Sequence, residues 1–129
     1  MKRRNFLTTV TLAAPAIFAA ANQTGMESGF VHHVYFWLKN ADSKADKDKL
    51  VEGLKKLSKV ATIKWFHIGR PAATNRDVID TSYSISWLVL FNNKADQDSY
   101  QTDPIHLKFV EECSMLWTKV VVYDSENIA

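Results

Sequence analysis

A single cysteine, Cys113, excludes an internal disulfide, so packing and hydrogen bonding must hold this 129-residue chain together. Four histidines are present, but none stands at a His-x-His or His-Glu-x-x-His spacing, and no second thiol is available, so no metal site is expected. The chain has no phosphate-cradling glycine loop and no Gly-x-Ser-x-Gly nucleophile turn. No cofactor is therefore expected. Excess charge of one sign is also missing: 16 Lys and Arg against 14 Asp and Glu. That balance gives no electrostatic footprint for nucleic acid. Long apolar runs are absent too, the longest being too short for a comfortable membrane span of about 20 residues.

That one run has a specific setting. Met1-Lys2-Arg3-Arg4-Asn5-Phe6-Leu7 precedes apolar Val10 to Ala21, which ends on the small residues Ala19-Ala20-Ala21. A basic start, an apolar middle and a small-residue end are the order of a secretory signal. Arg3-Arg4-Asn5-Phe6-Leu7 matches the bacterial twin-arginine pattern, with an ordinary secretory signal as the alternative. Residues 1–21 are thus expected to be a signal peptide, and a periplasmic or secreted location follows. No cysteine follows the run, so no lipoprotein anchor is expected in the mature chain. Lys2, Arg3 and Arg4 belong to the signal, which holds no acid, so the remainder keeps 13 basic residues against 14 acidic and is nearly neutral.

Residues 22–29 are polar and carry Gly25 and Gly29, which reads as a flexible leader. One domain is expected over residues 30–125, with 126–129 as a tail. Phe30 to Lys39 reads as a strand, with Val31, His33, Tyr35 and Trp37 on one face and His32, Val34, Phe36 and Leu38 on the other. Ser43 with Asp46 three residues on fits a capping box. Leu50, Leu54, Leu57 and Ala61 then form a helical stripe. Strands follow at Thr62 to Gly69 and Ser82 to Phe91. A short helix is expected from Ala95 to Thr102, and a longer one capped by Asp103 with Pro104 at its first position. Its stripe is Ile105, Phe109, Cys113 and Leu116, which makes Cys113 a core residue. Lys119 to Tyr123 is the last strand, and Asp124 to Ala129 is expected to fray.

This βαββαβ order predicts an α+β, ferredoxin-like fold: a four-stranded antiparallel sheet with helices on one face. Several strands are apolar on both faces, whereas a sheet with one wet face should alternate. The uncovered face therefore calls for a partner, and a homodimer through the open sheet face is the simplest one.

His32-His33-Val34-Tyr35-Phe36-Trp37-Leu38-Lys39, Leu50 to Leu57, Ile68-Gly69-Arg70-Pro71 and Tyr100 to Phe109, with its Tyr…Pro-x-His…Phe pattern, resemble the stress-responsive dimeric A/B barrel (Dabb) family. The resemblance covers about residues 30–125 and implies a dimeric α/β barrel. It also implies candidate catalytic residues. In the family's polyketide-cyclase branch a Pro-x-His histidine acts as acid and base, with a tyrosine six residues earlier, and His106 and Tyr100 match these positions. His106 would sit in the first turn of a helix, where the dipole favours the neutral imidazole. A structural role competes, with His106 tying the helix start to the opening strand. The cyclase also has a third-strand histidine where this chain has Ile85. His33 matches the family's opening-strand histidine, and His33, His67 and Trp87 are candidate ligand-binding residues.

Three functions are expected in turn. The first is an exported barrel of uncharacterised activity, stress-related or binding a small apolar ligand. The second is a lyase- or cyclase-like enzyme using His106 and Tyr100. The third is a cofactor-free or haem-linked monooxygenase-like barrel, on fold analogy alone.

Overall fold

The computed structural model describes residues 29–129. The expected signal, residues 1–21, and all of the leader but Gly29 lie outside the described residues. Strand β1 (Phe30–Leu38) is followed by helix α1 (Lys44–Leu57), strands β2 (Trp65–Gly69) and β3 (Ile85–Phe91), helices α2 (Lys94–Thr102) and α3 (Pro104–Cys113), and strand β4 (Trp117–Glu126). A single 3-10 turn, Ser114–Leu116, joins α3 to β4. The strands lie in the order β2-β3-β1-β4, every neighbour antiparallel. The fold is ferredoxin-like α+β, as the element order predicted.

Helix starts follow local chemistry. The Ser43 hydroxyl accepts from the Asp46 amide at 3.1 Å, and the Asp103 carboxylate accepts from the Ile105 amide at 2.8 Å. Each satisfies a backbone donor that the first helical turn cannot. Pro104 then costs nothing, because its missing N–H would have had no intrahelical acceptor.

The core lies between sheet and helices. β1 alternates, with Phe30, His32, Val34, Phe36 and Leu38 buried beneath the helices. β3 adds Ile85, Trp87, Val89 and Phe91. α1 contributes Leu50, Leu54 and Leu57, and α3 contributes Phe109 and Cys113. Gly53 lets these two helices close up, since a Cβ there would stand 2.6 Å from Cys113 Sγ.

Several expected boundaries move. α1 ends at Leu57, so Ala61 lies beyond the helix and is exposed, and Val60 fills the core instead. The α3 stripe enters at half-buried His106, leaving Ile105 37% exposed. β3 begins at Ile85 rather than Ser82; ahead of it the Ser82 amide is taken by the Asp80 carboxylate at 2.8 Å and is not free for the ladder. The expected frayed tail is the largest correction: Asp124, Ser125 and Glu126 pair with His32, Val31 and Phe30. Edge-strand pairing is made by backbone groups and tolerates polar side chains, so composition alone misreads this end.

Candidate functional site

The two most telling sequence positions do come together. Asp103, in an extended conformation between α2 and α3, turns the chain so that the Tyr100 and His106 rings meet with centroids 4.7 Å apart. Tyr100 is 1% exposed. Its hydroxyl accepts from Trp87 Nε1–H at 3.0 Å. Burial pushes its pKa well above the ordinary phenol value, partly offset by that bond. The phenol is therefore neutral and already engaged.

His106 is half-buried, and burial lowers its pKa. Nearby His32 acts in the same direction, while the Gln101 backbone and Asp103 oppose it. The neutral ring expected from its place in the first turn is thus favoured by the site. Its Nδ1 is sealed from solvent and has no hydrogen-bond partner among the described residues. No bond ties His106 to β1 among them either, so the expected tether to the opening strand is not what holds the ring.

Two further residues join this cluster. His32, 5% exposed, packs edge-on to Tyr100 with centroids 5.6 Å apart. Its Nδ1 donates to Asp124 Oδ1 at 2.6 Å, a charge-assisted hydrogen bond. The carboxylate fixes which imidazole nitrogen carries the proton and orients the ring. The sequence grouped His32 with Val34, Phe36 and Leu38 on one face of β1 without deciding which face the helices cover; it gave the family role to His33 and left Asp124 in a tail. A β4 long enough to match nine-residue β1 would have reached Asp124; that length match was the usable signal.

The other candidates sit elsewhere. His33 and His67 lie on the open sheet face, each opposite Leu88 of β3. His33 Nδ1 is 3.2 Å from the Tyr35 hydroxyl, and His67 stacks on Trp65. Burial, then His67 and His32, lowers the His33 pKa. Trp87 is on the opposite face of the sheet, 1% exposed, with Tyr100 and Phe66. His33, His67 and His106 therefore do not converge, and Trp87 shares no surface with the first two. Among the described residues no group of three or more His, Cys, Asp or Glu could hold a metal ion.

The helix-side cluster can move protons but offers little access. A carboxylate-held imidazole, a neutral second imidazole and a phenol are the parts of an acid–base site. Yet concavities of about 970, 410 and 390 Å³ are each lined by other residues. The 390 Å³ one lies on the open sheet face among Tyr35, Trp37, Tyr83 and Tyr123.

The family model of the stress-responsive A/B barrel domain matches residues 30–127. No curated protein matches the chain. Among solved structures, a Dabb family protein with a ferredoxin-like fold from Mesorhizobium loti is 23% identical, with TM-score 0.66, covering 80% of this chain and 100% of that one. A dimeric ferredoxin-like protein of unknown function from Thermobifida fusca is 15% identical, with TM-score 0.65, covering 82% and 97%. Hydroxynitrile lyase from Passiflora edulis is 21% identical, with TM-score 0.65, covering 81% and 98%. At these identities the likeness is one of fold.

Proposed function

The chain belongs to the stress-responsive A/B barrel (Dabb) family, and on that premise we propose that it is an exported homodimeric barrel that binds a small apolar ligand. The observation that carries this is the uncovered sheet face. Tyr35, Trp37, Leu88, Leu90, Trp65 and Tyr123 point away from the helices, and Tyr123 is 66% exposed. An apolar face of that kind is costly in water and marks an interaction surface. Sheet-on-sheet packing with a second copy covers it and encloses the hollow at Tyr35, Trp37 and Tyr83, whose rim carries Asp80 and Lys119. Relatives described as dimeric support the same arrangement. Export rests on Arg3-Arg4-Asn5-Phe6-Leu7 and the apolar run behind it.

Light scattering tests the assembly. The expected mass is that of two chains, and Leu88→Glu, which buries a charge in the paired face, is expected to yield monomer. A wild-type monomer at micromolar concentration overturns the barrel. Native mass spectrometry of protein taken from its own periplasm then looks for a retained ligand. Arg3-Arg4→Lys-Lys tests the route, since continued export would leave only an ordinary secretory signal.

A second reading, a lyase- or cyclase-like enzyme, is favoured by the Asp124–His32 hydrogen bond beside the neutral His106 and Tyr100. Cleavage of a hydroxynitrile, the reaction named in the Passiflora edulis lyase, that His106→Ala abolishes with the dimer intact would favour it over binding alone.

A further inference from the structure

At the end of the sheet away from His32, helix α1 presents a second stripe. Lys47, Val51 and Lys55 recur every fourth residue, beside the buried leucines and on one side of the helix. They line a groove of about 970 Å³ whose other walls are the end of β2, the Arg70-Pro71 segment and the start of β3. Val51, Ile68, Pro71 and Ile85 make its lining apolar, while Lys47, Lys55 and Arg70 bring positive charge to it.

Two of the three cations, Lys47 and Arg70, are not matched internally among the described residues. Asp48, the one acid in the lining, is held by Lys44 at 2.7 Å, and Lys55 is paired with Glu52 at 3.3 Å. Lys47 is half-buried, and neither it nor Arg70 has a carboxylate within 4.0 Å among the described residues. Ser84 adds a directed donor. Its Oγ already accepts from the Leu38 amide at 3.2 Å, so its hydroxyl proton is left for an incoming acceptor.

We propose that this groove is a binding site for small molecules with an apolar body and an anionic head, of the aryl- or alkyl-carboxylate class. The body lies along Val51, Ile68 and Ile85; the head meets Lys47 and Arg70 and accepts from Ser84. Pockets of this kind combine apolar walls with a few charged groups that set orientation and specificity. The site is separate from the His32–Asp124 cluster; it borders the aromatic sheet face, sharing Tyr83 with the hollow there and taking His67 as one wall, but its apolar floor of Val51, Ile68 and Ile85 and its cations Lys47 and Arg70 lie outside that hollow.

The test is amide chemical-shift mapping on the full mature protein with 4-phenylbutyrate, against 4-phenylbutan-1-ol as the uncharged match. Saturable shifts at Val51, Gly69 and Ser84 are expected with the carboxylate, and binding about tenfold weaker with the alcohol. Lys47→Gln with Arg70→Gln should remove that preference while leaving alcohol binding unchanged. Equal affinity for the two probes overturns the proposal, as does the absence of shifts at millimolar carboxylate. Shifts confined to Tyr35 and Tyr123 also overturn it, and would assign the ligand to the sheet face instead. A monomeric protein that still shows the groove shifts would sink the dimer reading and leave this one intact.

Discussion

Asp124, third from the end of β4, holds His32 of β1 by a 2.6 Å hydrogen bond between Oδ1 and Nδ1. The two residues are partners in the strand ladder, so the bond joins the last strand to the first across the buried side of the sheet. It also sets the orientation of a ring that packs on Tyr100.

Replacing Asp124 with Ala therefore leaves a buried imidazole without its acceptor. A loss of about 1–3 kcal/mol is expected in urea unfolding. Asp124→Asn, whose amide oxygen still accepts, should recover part of it. Unchanged stability in Asp124→Ala would mean that this end of β4 frays as its composition suggested.

Tyr100→Phe removes one hydroxyl and leaves the Trp87 indole N–H unsatisfied in the core. The cost should be about 1–3 kcal/mol, read from the same unfolding midpoint. The indole fluorescence of the native state should shift as well. A neutral result would imply that water reaches Trp87 and that the cluster is more open than its 1% exposure of Tyr100 indicates.

Gly53→Ala sets two effects against each other. Alanine raises helix propensity by about 1 kcal/mol. The new methyl, however, would meet Cys113 Sγ at 2.6 Å and Phe109 at 3.3 Å, both buried. Overpacking should win, with a net loss of about 1–2 kcal/mol. Combining it with Cys113→Ala should restore part of that loss, a coupling that a double-mutant cycle measures. Additive effects would place the helices farther apart.

Acid should weaken the fold through His33 and His106. Burial is the largest cause of the lowered pKa of each. The unfolded chain then binds protons more readily than the folded one, so stability rises with pH in the interval between the two values. The contribution of both rings is fully present above their unfolded value of 6.5 and is lost as pH falls through the depressed folded values. Urea midpoints followed downward from neutral pH should decline, and His106→Asn should flatten the decline. A midpoint that rises on acidification would contradict the assignment of neutral rings.

Sequence alone determined the order of the secondary elements, the caps at Ser43 and Asp103, and the division of β1 into two faces. These depend on contacts between near neighbours and on side-chain periodicity, both of which are written along the chain. The juxtaposition of Tyr100 and His106 was legible for the same reason, six residues apart across a proline-started helix. Only the tertiary structure decided which histidine joins them. Adjacent residues on a strand face opposite ways, so whether His32 or His33 meets Tyr100 depends on which face the helices cover. The partnership of His32 with Asp124, 92 residues apart, depends on the register of β4 against β1. The separation of His33 and His67 from Trp87, and the placing of Lys47, Lys55 and Arg70 around one groove, arise in the same way. Each joins distant segments through packing, which no local pattern specifies.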